Sequence, residues 1–177
     1  MTKSLIDRLC QLVTPPKAPV CNAERWDAVE GEMGVPLPEE YKRLIEKFGQ
    51  GVYLGKAYCS GLLITSYLGG RPVDRAKGFA EYFRTVDSLP YEVYPVKPGL
   101  LGFASYGDKD TIAWNTIGLP EEWPIVYHDP ETGFHEVPNM GVLEFVISVL
   151  EESSPFHRKG VIRMGNMKGP HTFCPEP

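Results

Sequence analysis

The segment of residues 35–51, VPLPEEYKRLIEKFGQG, constrains the fold of this chain more than any other. Pro38 suits the first position of a helix, because the N–H that proline lacks would have no intrahelical partner there. Glu39 and Glu40 follow in the first turn, where they oppose the positive end of the helix dipole. Gly49 can adopt the left-handed conformation that ends many helices. The segment therefore predicts an amphipathic helix with a defined start and end.

Apolar side chains of this segment recur at i, i+3, i+4 and i+7, from Tyr41 to Phe48. That spacing places them on one face of a helix with 3.6 residues per turn, and such a face usually packs against a core. Large side chains from other predicted elements complete the core that we expect. Its members are Trp26, Tyr41, Leu44, Ile45, Phe48, Trp114, Phe145 and Val149.

The rest of the chain alternates between helix-like and strand-like patterns. Apolar residues at helical spacing predict further helices, the second of them capped by Asn22, at residues 4–13, 23–33, 74–87 and 140–152. Turn sequences separate the predicted strands, which lie at 61–68, at 101–105 with 111–115, and at 125–128 with 134–137. Helices that precede and follow a mostly antiparallel sheet define the α+β class.

Length and composition predict one compact domain. A chain of 177 residues with 42% hydrophobic content can bury a sizeable core. We expect an N-terminal helix and a proline-rich connector in residues 1–21, and the α+β domain in residues 22–152, with the helices packed on the sheet. Residues 153–177 are rich in Gly and Pro and lack periodicity, so they predict a basic, irregular tail.

The net charge of −5 is unevenly distributed. From His157 onward, four basic residues oppose Glu176 alone, which gives this part +3 and leaves −8 on residues 1–156. An acidic body argues against direct nucleic-acid binding through a broad basic face. It is compatible with a basic protein partner.

The sequence predicts a cytoplasmic protein. No apolar run reaches the roughly 18 residues that span a bilayer. The N-terminal stretch MTKSLIDRLCQLV contains an acid and precedes no small-residue cleavage site, which argues against a signal peptide. The four cysteines are scattered without a C-x-x-C pair, so we expect reduced thiols instead of a zinc site or a disulfide framework.

Only weak candidates for catalytic or metal chemistry occur. Asp108 and Asp110 offer carboxylate oxygens to a hard cation, although acidic residues are also common in turns. His128 and His135 would lie near each other across the DPETG turn, but a third zinc ligand at a suitable spacing is missing. A small metal-dependent hydrolase that uses these four residues is the alternative from the enzyme class. We expect no enzyme, no bound metal and no cofactor.

Three segments carry a resemblance to a known family: AERWDAVEGEMG, VPLPEEYKRLIEKFGQG and LLGFASYGDKDTIAWNT. Over residues 22–152 the chain resembles the SUKH superfamily, the Smi/Knr-like group. The resemblance implies a single α+β domain without catalytic residues. In bacteria it implies an immunity protein that neutralises a polymorphic toxin by binding it. Other members are regulatory interaction proteins, so a regulatory scaffold of the same fold is the alternative.

Acidic residues cluster in or beside the turns predicted between residues 106 and 133. Loops tolerate substitution without unfolding the scaffold, which suits a protein whose partner varies. An acidic surface would attract a basic nuclease toxin, and an exposed tryptophan could anchor the complex. The alternative is a tryptophan tucked against the core beside solvated glutamates. The predicted partner-binding residues are Asp108, Asp110, Glu121, Glu122, Trp123, Asp129 and Glu131.

Overall fold

The structure, a computed structural model, describes residues 4–22, 25–55, 61–107, 109–158, 167 and 169–176. Its helices are α1 (Leu5–Leu12), α2 (Trp26–Met33), α3 (Glu39–Phe48), α4 (Pro72–Arg84), α5 (Val142–Leu150) and α6 (Pro155–Arg158). Its strands are β1 (Gly51–Leu54), β2 (Gly61–Ile64), β3 (Leu100–Tyr106), β4 (Asp110–Asn115), β5 (Ile125–Asp129), β6 (Gly133–Val137) and β7 (Thr172–Pro175). None of these helices is both long enough and apolar enough to cross a membrane.

The strands form one antiparallel sheet in the order β6-β5-β4-β3-β2-β1-β7. Both predicted hairpins are present, as β3–β4 and β5–β6. The register of β3 on β4 shifts between Gly102 and Ala104, which marks a bulge. A sheet with helices before and after it confirms the α+β class.

Helices cover the two faces of the sheet unequally. On one face, Phe103 of β3 stacks on Trp114 of β4 at 4.1 Å and meets Phe145 of α5 at 6.2 Å between ring centroids. α3 packs on the same side, since Tyr41 lies 5.1 Å from Trp114. α4 packs on the other face, where a Cβ at Gly102 would collide with the ring of Phe79.

The main core lies between the sheet and the helices α1, α3 and α5. Leu9 of α1 is fully buried within it, so the first helix shares the core of the rest of the chain. All eight side chains that we expected in the core are buried. They are Trp26, Tyr41, Leu44, Ile45, Phe48, Trp114, Phe145 and Val149.

The ends of the first helices differ slightly from the sequence prediction. α3 begins one residue after Pro38, which occupies the N-cap position with extended ψ. Gly49 ends α3 at φ 76°, and a Cβ there would also collide with the backbone of Val20. α2 begins at Trp26 with Arg25 at its N-cap, and Arg25 makes no side-chain capping hydrogen bond. The expected cap by Asn22 is therefore wrong.

Residues 153–177 contain regular structure, in contrast to the irregular tail that we expected. α6 follows α5 closely, and β7 pairs with β1 at the edge of the sheet. Phe173 of β7 lies 5.4 Å from Phe48 and 4.8 Å from Tyr53 between ring centroids. Pairing with β1 and contact with this aromatic cluster order a segment that has little helical or strand periodicity of its own.

Candidate functional site

The sheet separates the residues predicted to bind a partner into two groups. The turns that join β3 to β4 and β5 to β6 lie at one end of the strands, the hairpin-turn end. The connection 116–124 between β4 and β5 lies at the other, the loop end. The length of β4 separates these ends by roughly 17 Å. The first group is Asp110, Asp129 and Glu131, the second is Glu121, Glu122 and Trp123, and Asp108 lies outside the described residues.

Asp110 begins β4 at the hairpin-turn end and is half-buried. Its carboxylate accepts a hydrogen bond of 2.5 Å from the hydroxyl of Tyr127 on β5. Burial raises the pKa of Asp110, the hydrogen bond from Tyr127 lowers it, and the nearby charges of Asp129 and Glu131 raise it again. Asp129 and Glu131 therefore lie near enough to Asp110 to oppose its ionisation.

Asp129 has a structural role in the turn that follows β5. Its carboxylate accepts hydrogen bonds from the backbone N–H of Glu131 at 2.7 Å and from the hydroxyl of Thr132 at 2.9 Å. A bond to the backbone two residues further along is the Asx turn typical of aspartate. Asp129 is buried while Glu131 is exposed. Glu131 is therefore the carboxylate of this turn that an approaching partner meets first.

Trp123 at the loop end is buried, with an exposed fraction of 5%. Its ring centroid lies 6.0 Å from that of Trp114, and its Nε1 donates a hydrogen bond of 3.3 Å to the carbonyl oxygen of Gly118. Burial of the indole with its N–H satisfied is favourable. The expected role of Trp123 as an exposed anchor is therefore corrected, because the side chain holds its loop against the core.

The loop end exposes two large apolar side chains that the sequence reasoning missed. Ile117 is 53% exposed and Leu119 is 64% exposed. Glu121 and Glu122 follow in an exposed 3-10 turn. Clustered apolar side chains that face water within a polar rim mark interaction sites more often than single ones. The sequence signal was a pair of aliphatic residues inside a turn segment, NTIGLPEEW, where polar residues are usual.

A small cavity of about 210 Å³ lies at the loop end, between the N-terminal ends of α3 and α5. Glu40 of α3 reaches α5, where its carboxylate accepts a hydrogen bond of 3.3 Å from the N–H of Leu143. Gly141, the N-cap residue of α5, has no side chain, and a Cβ there would collide with Glu40. Glu40 thus caps a neighbouring helix. The cavity is smaller than typical ligand pockets.

A larger groove of about 670 Å³ lies at the hairpin-turn end, on the face of the sheet that carries α4. It runs between the C-terminal end of α4 and the β5–β6 hairpin. His128 of β5 lines it and is only 4% exposed. The ring centroids of Tyr82 and Phe134 lie 5.8 Å and 4.4 Å from that of His128. The volume of the groove falls in the range of ligand-binding sites.

Tyr82 fixes the orientation of His128. Its hydroxyl lies 3.0 Å from Nδ1 of His128 and 3.2 Å from the backbone oxygen of Lys109. Burial lowers the pKa of His128, Asp129 raises it, and His135 lowers it, with a net decrease. The imidazole of His128 is therefore neutral at physiological pH.

A family model described as SUKH_6, SMI1-KNR4 cell-wall, matches residues 23–139, about two thirds of the chain. The chain belongs to the SUKH superfamily. The matched range contains both ends of the sheet and the groove, whereas α1, α5, α6 and β7 of this SUKH protein lie outside it. The resemblance drawn from the sequence is thus confirmed. No curated protein and no solved structure matches the chain.

The two histidines of the SUKH protein that were considered as zinc ligands point away from each other. His128 is paired with Phe134 and His135 with Tyr127, so neighbouring positions place the imidazoles on opposite faces of the sheet. The expectation that they converge is therefore corrected. In the part of the chain that the structure describes, no group of three or more His, Cys, Asp or Glu side chains could hold a metal ion.

Proposed function

We propose that this SUKH protein is a cytoplasmic immunity protein that neutralises a bacterial polymorphic toxin by direct binding. One observation carries the proposal: on a scaffold of this superfamily, Ile117 and Leu119 face water beside Glu121 and Glu122. Exposed aliphatic side chains of this size gain free energy when a partner covers them. The proposal assigns no catalytic residue and no cofactor.

The loop end has the composition of an interface. Its aliphatic side chains supply area that is buried on binding, and its glutamates supply a polar rim. Trp123 and Glu121 keep the loop in place, the first through its contact with the core and the second through a 3.5 Å contact with the backbone N–H of Glu39. A loop held in one conformation loses less entropy when it binds.

The charge of the chain favours a basic partner. Residues 1–156 carry a net charge of −8, and Glu121 and Glu122 extend that charge to the loop end. Nuclease toxins that act on anionic substrates present basic surfaces, which an acidic protein attracts over a distance. A basic nuclease is therefore the toxin class that we propose.

Co-expression with a candidate toxin domain, sought in the neighbouring reading frame, tests the proposal. The wild-type protein should restore growth of the host and bind the purified toxin domain in calorimetry. Ile117→Asp combined with Leu119→Asp should weaken binding at least tenfold, because two carboxylates replace apolar contacts. Both side chains are exposed, so the variant should retain the thermal midpoint of the wild type.

Thr14→Asp combined with Ala18→Asp provides the matched control. It adds the same two carboxylates at exposed positions. They precede Val20, which pairs with Gly49 at the C-terminal end of α3, whereas the loop end lies at the N-terminal end of α3, so the variant should bind like the wild type. Wild-type protein that fails to bind or to restore growth would exclude this toxin as the partner and remove the proposed function. Full binding by the Ile117 and Leu119 variant would move the interface elsewhere.

A further inference from the structure

The groove beside His128 contains a buried imidazole with one nitrogen held and the other unused. Nδ1 contacts the hydroxyl of Tyr82, and Nε2 makes no hydrogen bond to any residue that the structure describes. A polar atom that lines a groove without a partner there is available to a ligand. The residues around it determine which ligand chemistry fits.

The hydroxyl of Tyr82 contacts both Nδ1 of His128 and the backbone oxygen of Lys109, so the destination of its one proton sets which nitrogen of His128 is protonated. A phenol has one proton to donate, and the backbone oxygen of Lys109 can only accept. In the arrangement that our inference requires, Tyr82 donates to the backbone oxygen of Lys109 and Nδ1–H of His128 donates to the oxygen of Tyr82. In that arrangement the neutral ring has its acceptor at Nε2.

The other polar groups in the groove also favour a donor. Thr85 uses its hydroxyl proton in a 2.7 Å hydrogen bond to the backbone oxygen of Tyr82, which leaves its oxygen as an acceptor. Asp87 adds an exposed carboxylate. Among the described residues that line the groove there is no lysine or arginine. A ligand that carries several N–H groups would meet acceptors here without competition from a resident cation.

Aromatic rings and charge further narrow the ligand class. The half-buried ring of Phe134 lies beside His128 in the lining of the groove, and aromatic rings attract cations. Exposed Glu131 in the adjoining β5–β6 turn adds negative charge near the groove, whereas Asp110 and Asp129 lie on the opposite face of the sheet. A guanidinium group is planar, permanently charged and rich in donors, so it can stack on a ring while it bonds to an imidazole nitrogen and a carboxylate.

We infer that the groove between α4 and the β5–β6 hairpin binds an arginine side chain of a basic protein partner. The exposed carboxylates of Asp87 in the groove and Glu131 in the adjoining turn complement a basic protein surface, and together they exceed what one small monovalent cation would neutralise. The inference does not depend on toxin neutralisation, which involves the loop end. The two proposals therefore fail separately.

The protonation of His128 gives the first test. Long-range ¹H–¹⁵N correlation spectra of the labelled full chain at neutral pH should show Nδ1 protonated and Nε2 unprotonated. Tyr82→Phe removes the acceptor for Nδ1–H and should shift the ring toward the Nε2-protonated form. A wild-type ring protonated at Nε2 would present a donor to the groove and would overturn the inference.

Peptide binding gives the second test. Acetyl-Gly-Arg-Gly-amide should cause saturable chemical-shift changes at His128 and Phe134. Its citrulline counterpart has nearly the same shape without the charge and should bind at least tenfold more weakly. The lysine counterpart should also bind more weakly, since an ammonium cannot stack and bond in two directions at once. Equal binding of the arginine and citrulline peptides would overturn the inference.

Variants locate the site. Asp87→Asn at the groove should weaken binding of the arginine peptide severalfold, and His128→Phe should abolish that binding. Asp74→Asn, at an exposed acid in the first turn of the same helix, is the matched control and should leave binding unchanged. Asp87 is exposed, so its substitution tests the groove even if His128→Phe fails to fold. Equal effects of Asp87→Asn and Asp74→Asn would mean that the peptide senses only the overall charge, which would overturn the inference.

Discussion

Phe48 joins a helix to two strands through its ring. The ring is fully buried, and its centroid lies 5.4 Å from those of Tyr53 on β1 and Phe173 on β7. Phe48→Ala leaves a cavity that these strands cannot close, so the free energy of unfolding should fall by about 3–5 kcal/mol in chemical denaturation. Arg43→Ala, on the exposed face of the same helix, should change it by less than about 0.5 kcal/mol. An unchanged midpoint for Phe48→Ala would contradict this packing.

Asp110 makes stability depend on pH. Its pKa is raised in the folded state, chiefly by burial, so the folded protein binds the proton more tightly than the unfolded chain does. Stability therefore falls as pH rises from the ordinary carboxyl pKa through the raised one. The stabilising contribution is fully present at pH values below the ordinary pKa.

Asp110→Asn removes this charge and keeps an acceptor for the hydroxyl of Tyr127. The variant should be more stable than the wild type at about pH 7, by less than about 1 kcal/mol because the half-exposed carboxylate is screened by solvent. The advantage should shrink toward about pH 3, where the wild-type carboxyl is protonated in both states. Urea unfolding at the two pH values measures it. A variant less stable than the wild type at neutral pH would contradict the cause assigned to the shift.

At the scale of elements, β7 completes the sheet by pairing with β1 and by covering Phe48 and Tyr53. Phe173 is half-buried, so Phe173→Ala should lower the free energy of unfolding by roughly half the loss expected for a fully buried ring, about 2 kcal/mol. Cys174→Ala lies on the same strand with an exposed side chain and should have little effect. Equal thermal midpoints for the two variants would indicate that β7 does not hold the aromatic cluster.

The elements that could be predicted from sequence are those whose signals are local. α3 carries its own apolar face and terminal glycine, and both hairpins carry their turn residues. β7 could not be predicted, because its partner β1 lies more than a hundred residues earlier and only their pairing orders the strand. The burial of Trp123 likewise depends on a contact with Trp114, which lies in β4. The groove could not be predicted either, because it depends on the strand register and on the packing that places His128 in contact with Tyr82.

At the scale of the whole molecule, the acidic charge predicts how fast a basic toxin associates. Raising the ionic strength from low salt to about 0.5 M should slow association with the cognate toxin domain by about tenfold or more, because screening removes long-range attraction. Stopped-flow mixing measures the rate. The double variant Glu121→Lys, Glu122→Lys should make the association rate depend less on salt. The control, Asp74→Lys with Glu81→Lys on α4, changes the net charge by the same amount and should reduce that dependence less. Equal slopes would place the toxin away from the loop end.

The separation of the loop end from the hairpin-turn end has a consequence for how this protein diversifies. Both ends are joined by strands whose interior side chains are fixed by packing, and no side chain spans the roughly 17 Å between them. Substitutions at such a distance usually contribute additively to free energy. With the two proposed binding sites at opposite ends, substitutions that alter recognition at one end would leave the affinity of the other unchanged, so each site could diversify independently within one small domain.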